Sequence, residues 1–198
     1  MSAVISDMSI PLGNKIGNGL EIAEAMEVLS GKGPEDLRTL CLVLGGEMIA
    51  LSHGISKEQG YEKAKWALDG GYAAEKFSAF LKAQGAVADP LERSDILPKA
   101  KHQIPVYAER EGYITSLDAL TCGNVSLRLG AGRRKKSDTI DPAAGIELYC
   151  KPGDYVQKGQ PLALLHSNME AEGAWLLPAF TFGETKPAPS ELIYHASF

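Results

Sequence analysis

Val87-Ala88-Asp89-Pro90-Leu91-Glu92-Arg93-Ser94-Asp95-Ile96-Leu97-Pro98-Lys99-Ala100-Lys101-His102-Gln103 is where the chain changes its grammar. Neither the three-to-four spacing of a helix nor the alternation of a strand runs through it. Pro90 and Pro98 interrupt it and its charges are mixed, so it reads as a connector. The expected division is a helical segment over 1–86, a connector over 87–103 and a sheet-rich domain over 104–198. The fold class that follows is α+β.

Upstream, Leu20, Ala23, Met26 and Leu29 share one helix face, and Gly31-Lys32-Gly33 stops that helix. Pro34 suits the first turn of a second helix, whose stripe of Leu37, Leu40, Cys41, Leu44, Met48 and Leu51 is joined by Leu42, Val43 and Ile49. So little polar face is left that this helix is expected to be buried nearly all round, as the central one. Ser56 with Gln59 has capping-box form and opens a third helix ending near Gly70-Gly71; a fourth runs from Tyr72 to Gln84. Ala3-Val4-Ile5, followed by Asp7, reads as a short buried strand. Such a strand needs neighbours on both sides to satisfy its backbone, and the chain is therefore expected to be truncated.

Downstream, short strands are expected at Ile104 to Ala108, Tyr113 to Thr115, Ile146 to Cys150, Pro161 to His166 and Phe180 to Phe182, with one helix from Leu117 to about Leu129. Gly153-Asp154-Tyr155-Val156-Gln157-Lys158-Gly159-Gln160-Pro161-Leu162 has the G-D-x-V-x-x-G-x-x-L pattern of small barrel-like sandwiches, including biotinyl and lipoyl carriers. A biotinyl-like sandwich is the expected form of this domain. A carrier needs an exposed lysine on the next hairpin, where this chain has Leu165-His166-Ser167-Asn168-Met169-Glu170, so no organic cofactor is expected.

At 198 residues and 44% hydrophobic content the chain can bury a sizeable core. Its formal charge of −5, with both signs interspersed, gives no field to gather nucleic acid or an anionic membrane surface. Cys41, Cys122 and Cys150 have neither zinc-knuckle spacing nor the density of a disulfide scaffold. With no signal-like start and no bilayer-length apolar run, the expectation is a soluble, cytoplasmic protein with reduced thiols.

The loop Pro11-Leu12-Gly13-Asn14-Lys15-Ile16-Gly17-Asn18-Gly19 runs into a helix bearing Glu21 and Glu24. Helix-start amides could take a phosphate, which the carboxylates disfavour; loop carbonyls with a helix carboxylate could hold a hard cation; or the glycines make only a turn and Asn18 caps the helix. Gly130-Ala131-Gly132-Arg133-Arg134-Lys135-Lys136 joins a glycine bend to four cations but lacks P-loop and dinucleotide spacing, and a solvated charged loop is the simpler reading. His53, His102, His166 and His195 are scattered and read as helix-end or surface residues. Glu35-Asp36 follows Pro34, where the helix dipole alone explains acidic residues.

Several strings go further than composition. Asp7-Met8-Ser9-Ile10-Pro11-Leu12-Gly13, Gly17-Asn18-Gly19-Leu20-Glu21-Ile22-Ala23-Glu24-Ala25, Gly31-Lys32-Gly33-Pro34-Glu35-Asp36-Leu37, Leu129-Gly130-Ala131-Gly132-Arg133 and Ile140-Asp141-Pro142-Ala143-Ala144-Gly145 follow in that order. Together with Gly153 to Val156, Ser167-Asn168 and Leu192-Ile193-Tyr194, they resemble the pyrimidine-nucleoside and thymidine phosphorylases, C-terminal part only.

The resemblance implies a pentosyltransferase of pyrimidine metabolism and nucleoside salvage. Its substrates are a pyrimidine nucleoside and phosphate, and its products are a free base and a pentose 1-phosphate. The family's K-x-S-T-G-G-x-G-D phosphate run is absent from this sequence, so no catalytic residue is assigned and the chain is expected to be inactive alone. The resemblance also implies a monovalent cation, potassium, bound through the carbonyls of Leu12 and Lys15 and the carboxylate of Glu24. Lys15 departs from the small residue common in relatives, and its ammonium could weaken cation binding. The partners implied are an N-terminal half or a second copy in a homodimer. The competing classes are a non-catalytic binding or regulatory module and one half of a split phosphorylase.

Overall fold

Local signals place most element ends in the computed structural model, which describes residues 2–194. In chain order the first elements are β1 (Ile5–Ser6), β2 (Lys15–Ile16), α1 (Asn18–Leu29), α2 (Glu35–His53), α3 (Lys57–Asp69) and α4 (Tyr72–Ala83). Pro34 stands just outside α2 as its N-cap, with extended backbone, and Gly54 closes that helix in the left-handed region at φ 63°. The capping box at α3 is complete: Ser56 Oγ accepts from the Gln59 N–H, and the Gln59 side chain accepts from the Ser56 N–H, each at 3.2 Å. Then come β3 (His102–Tyr107), β4 (Gly112–Leu117), α5 (Ala119–Ser126), β5 (Gly145–Leu148), β6 (Tyr155–Val156), β7 (Pro161–Ser167), β8 (Phe180–Gly183) and β9 (Ile193–Tyr194). Helices and strands mix as the α+β reading requires.

The described residues fall into two units that interleave along the chain, one of 2–7, 23–97 and 191–194, the other of 8–22 and 98–190. The division passes through α1, between Ile22 and Ala23.

In the helical unit, β1 and β9 form an antiparallel two-stranded ribbon with Ile5 opposite Tyr194. α2 packs against α3 through two glycines. A Cβ added at Gly60 would lie 2.2 Å from the Gly46 carbonyl oxygen, and one added at Gly46 would lie 2.8 Å from the Cα of Tyr61. Only glycine allows backbones to approach this closely. Trp66 and Tyr72 stack across the α3–α4 turn with ring centroids 4.4 Å apart. The expectation that α2 is buried nearly all round is corrected here. Leu40, Leu42, Gly46 and Ala50 are buried, but Cys41, Leu44, Met48 and Leu51 are exposed. Apolar spacing says which faces suit a neighbour, and this unit supplies one for part of the helix only.

The sheet unit holds a four-stranded sheet in the order β2-β5-β7-β3 and a three-stranded sheet in the order β6-β4-β8; every pairing is antiparallel. Alternation along β4 sends Gly112, Ile114 and Leu117 inward, the step from Ile114 to Leu117 being reset by a bulge. One core cluster runs through Val106, Ile114, Leu129, Ile146, Leu162, Leu165 and Phe180, against which Ile10 and Ile16 also pack. Asp118 caps α5 by accepting from the Thr121 N–H at 2.7 Å. After Ser126 the helix widens into a π-type turn over Leu127–Ala131, closed by Gly130 at φ 108°. The early segment 8–22 is part of this unit because β2 adds to the β5 edge, Lys15 opposite Glu147 and Ile16 opposite Ile146.

Candidate functional site

The loop between β1 and α1 is fixed to the sheet unit at several backbone points. The Pro11 carbonyl accepts from Lys151 Nζ, the Asn14 carbonyl from the Leu148 N–H at 2.7 Å, and the Ser9 carbonyl from the Ala119 N–H at 3.0 Å. Gly17 has φ 129°, and a Cβ there would lie 2.4 Å from the Ala144 carbonyl oxygen. A Cβ at Gly145 would lie 2.2 Å from the Ile16 carbonyl oxygen. The glycines of the 17–19 and 143–145 strings are thus matched to one another across a backbone contact that side chains would block.

The start of α1 differs from the simple expectation that Asn18 caps it. Asn18 Nδ2 instead donates to the Ala131 carbonyl at 2.8 Å, and the Glu21 carboxylate accepts from the Gly17 N–H at 2.9 Å. An acidic side chain already occupies an amide that an anion would need, which weighs against a phosphate here. Of the three predicted cation ligands, Leu12 and Lys15 lie in the sheet unit, while Glu24 lies in the helical unit and is 3% exposed. Two carbonyls and a carboxylate are hard oxygen donors of the kind alkali and alkaline-earth cations take. Among the described residues, no group of three or more His, Cys, Asp or Glu side chains is placed to hold a metal.

In the basic loop, Arg133, Arg134, Lys135 and Lys136 are exposed. The bend itself is closed by Asp138, whose Oδ2 accepts from the Arg134 and Lys135 N–H groups at 3.0 and 2.9 Å. A polar brace that sequence reasoning passed over lies beside it. Asp141 accepts from the Ala143 N–H at 2.9 Å and from Asn168 Nδ2 at 2.8 Å, while Asn168 Oδ1 accepts from the Lys101 N–H at 2.9 Å. Asp141 immediately precedes a proline, the one local signal that could have marked it as a turn-forming residue.

The histidines divide. His53 is exposed at the end of α2 and His102 exposed at the start of β3, as expected; His195 lies outside the described residues. His166 is a correction: it is 8% exposed on β7, and its Nε2 finds no hydrogen-bond partner among the described residues, Glu147 Oε2 being 3.8 Å away. Burial lowers its pKa, Glu147 opposes that shift, and Lys15 adds to it. β7 is a near-continuous apolar run buried on both faces, and no period within it marks the histidine as covered. Cys122 and Cys150 are also buried, which raises their thiols to about 11 and about 12.

Residues 113–181 match the family described as the pyrimidine nucleoside phosphorylase C-terminal domain. The chain is 44% identical over 169 residues to a pyrimidine-nucleoside phosphorylase of Staphylococcus haemolyticus, and 44% identical over 169 residues to one of Geobacillus stearothermophilus. A pyrimidine-nucleoside phosphorylase of Staphylococcus aureus is 44% identical over 172 residues. Each match covers 85% of this chain but 39% of the relative. The chain is therefore similar to the C-terminal part of these proteins, and spans about two fifths of their length.

Proposed function

We propose that the chain serves as the C-terminal portion of a pyrimidine-nucleoside phosphorylase and does not carry out phosphorolysis alone. The observation that carries this reading is 44% identity across 85% of the chain to proteins bearing that name. Phosphorolysis joins two reactants, and positioning them contributes on the order of 7–11 kcal/mol of such a step. In this chain the exposed cations of the 133–136 loop supply attraction for phosphate without a cradle that orients it. The substrates of the assembled protein are a pyrimidine nucleoside, uridine or thymidine, and phosphate. Its compartment is the cytoplasm, and the sheet unit takes the biotinyl-like sandwich form.

The cation belongs to the same reading. Potassium is held by the carbonyls of Leu12 and Lys15 and by the carboxylate of Glu24. The support is the matching strings and the continuity of α1, which carries Glu24 on the helix that the Leu12–Lys15 loop opens. Titrating potassium into the chain and into Glu24→Ala, with loop resonances as the readout, tests it. Equal shifts in the two proteins would remove Glu24 from the site.

The activity test incubates the purified chain with uridine or thymidine and phosphate. It is done with and without the part of the Geobacillus stearothermophilus relative that lies outside the match. Free base is expected only in the mixture. Turnover by the chain alone, within about tenfold of a full-length relative, would overturn the proposal.

A further inference from the structure

α2 carries apolar side chains on two faces. One holds Gly46 and Ala50 against Gly60 of α3. On the other, Cys41, Leu44, Met48 and Leu51 follow at intervals of three, four and three, so they stand along one stripe of the helix. Leu44 is 42%, Met48 66% and Leu51 57% exposed. A solvent-facing helix stripe is ordinarily polar, and single exposed apolar residues need no explanation, but a row of four does. A second feature of the same unit points the same way. Among the described residues β1 pairs only with β9, over two residues each, and a ribbon this short is marginal without further strands or a covering layer.

We infer that the Cys41–Leu44–Met48–Leu51 stripe of α2 is a docking surface for polypeptide corresponding to the rest of a pyrimidine-nucleoside phosphorylase. This rests on the functional reading above. The occupant is named by length and by the pattern of the helix itself. The relatives share this segment at 44% identity yet have about three fifths of their length outside the match, which is chain available to cover the stripe. α2 has the composition of a helix enclosed on all sides, so its sequence is fitted to a neighbour that the described residues do not provide. Among the described residues no single helix is long and apolar enough to cross a membrane, and the α2–α3 pair is bent by 117°.

Cys41 supplies the probe, since it is exposed on the stripe while Cys122 and Cys150 are buried. Maleimide labelling of Cys41 is followed in two settings. In one, the full chain is mixed with the remainder of the Geobacillus stearothermophilus enzyme; in the other, this chain replaces the matched segment in a single-chain chimaera. Labelling should slow by at least about tenfold in either setting, and the double variant Leu44→Glu, Met48→Glu should restore it. Helicity of that variant alone, by circular dichroism, should match the parent because both positions face solvent. Unchanged labelling in both settings overturns the inference. So does protection of Cys41 in the chain alone, either at rising protein concentration, where a second copy is the occupant, or on vesicles, where lipid is. Protection without turnover leaves the surface standing and sinks the functional reading. Turnover that the Glu variants leave intact does the reverse.

Discussion

In the sheet unit the apolar faces of β4, β5 and β7 meet in one cluster with Ile114, Ile146 and Leu165 wholly buried, whereas in the helical unit the stripe of α2 leaves Met48 66% exposed and Leu51 57% exposed. Among the described residues the buried apolar side chains of the helical unit are Met26, Val28, Leu40, Leu42 and Ala50, and α2 meets α3 through a pair of glycines. Both halves are written with regular apolar patterns. What differs is whether the pattern finds its complement within the chain. Hydrophobic stabilisation follows area removed from water, so the sheet unit draws it from within and the helical unit has part of it in reserve.

The largest difference between the two units is expected at the core of the sheet unit. Leu165→Ala should destabilise that unit by about 2–5 kcal/mol in denaturant titration, and Met48→Ala in the helical unit by no more than about 0.5 kcal/mol. Similar losses at the two sites would mean that α2 is packed after all. Next in size is Gly60→Ala, whose added methyl meets the Gly46 carbonyl oxygen. It should cost about 1–3 kcal/mol and speed amide exchange across α2 and α3, with β5 and β7 unchanged. Exchange rising equally in both units would show that they unfold as one.

Ser56→Ala removes the hydroxyl side of the capping box and should cost about 1 kcal/mol, read as faster exchange in the first turn of α3. The smallest effect is a pH dependence in the sheet unit. Burial keeps His166 below its ordinary value in the folded chain, so the unfolded chain takes up the proton first. The stability tied to this residue is complete above the ordinary histidine value of about 6.5 and is lost as pH falls below it toward the depressed folded value. His166→Gln should flatten that part of the stability-pH curve; a curve unchanged from the parent would remove His166 as its source.

Much of the site region was legible because its signals are local. Gly17, the Ser56–Gln59 box and the G-D-x-V turn each state a backbone requirement within a few residues, whereas that of Gly145 is set by the distant Ile16 carbonyl. The Asp141–Asn168–Lys101 brace was not legible, because its partners are 27 and 67 positions apart in the chain. Nor was the capture of the Leu12–Lys15 loop by β5, since a two-residue strand has no alternation to read.

By itself the sequence determined the α+β class, the four early helices with their stops, the strand-rich half after residue 103, and the strings shared with pyrimidine-nucleoside phosphorylases. These follow from periodicity, capping and turn chemistry, which act over one or two turns of chain. Only the tertiary structure decided that residues 8–22 belong with the sheet, that His166 is buried and that one face of α2 meets solvent. Each of these depends on which distant backbone comes to lie against a given face. An apolar pattern can call for such a neighbour, but it does not specify where along the chain, or on which chain, the neighbour is found.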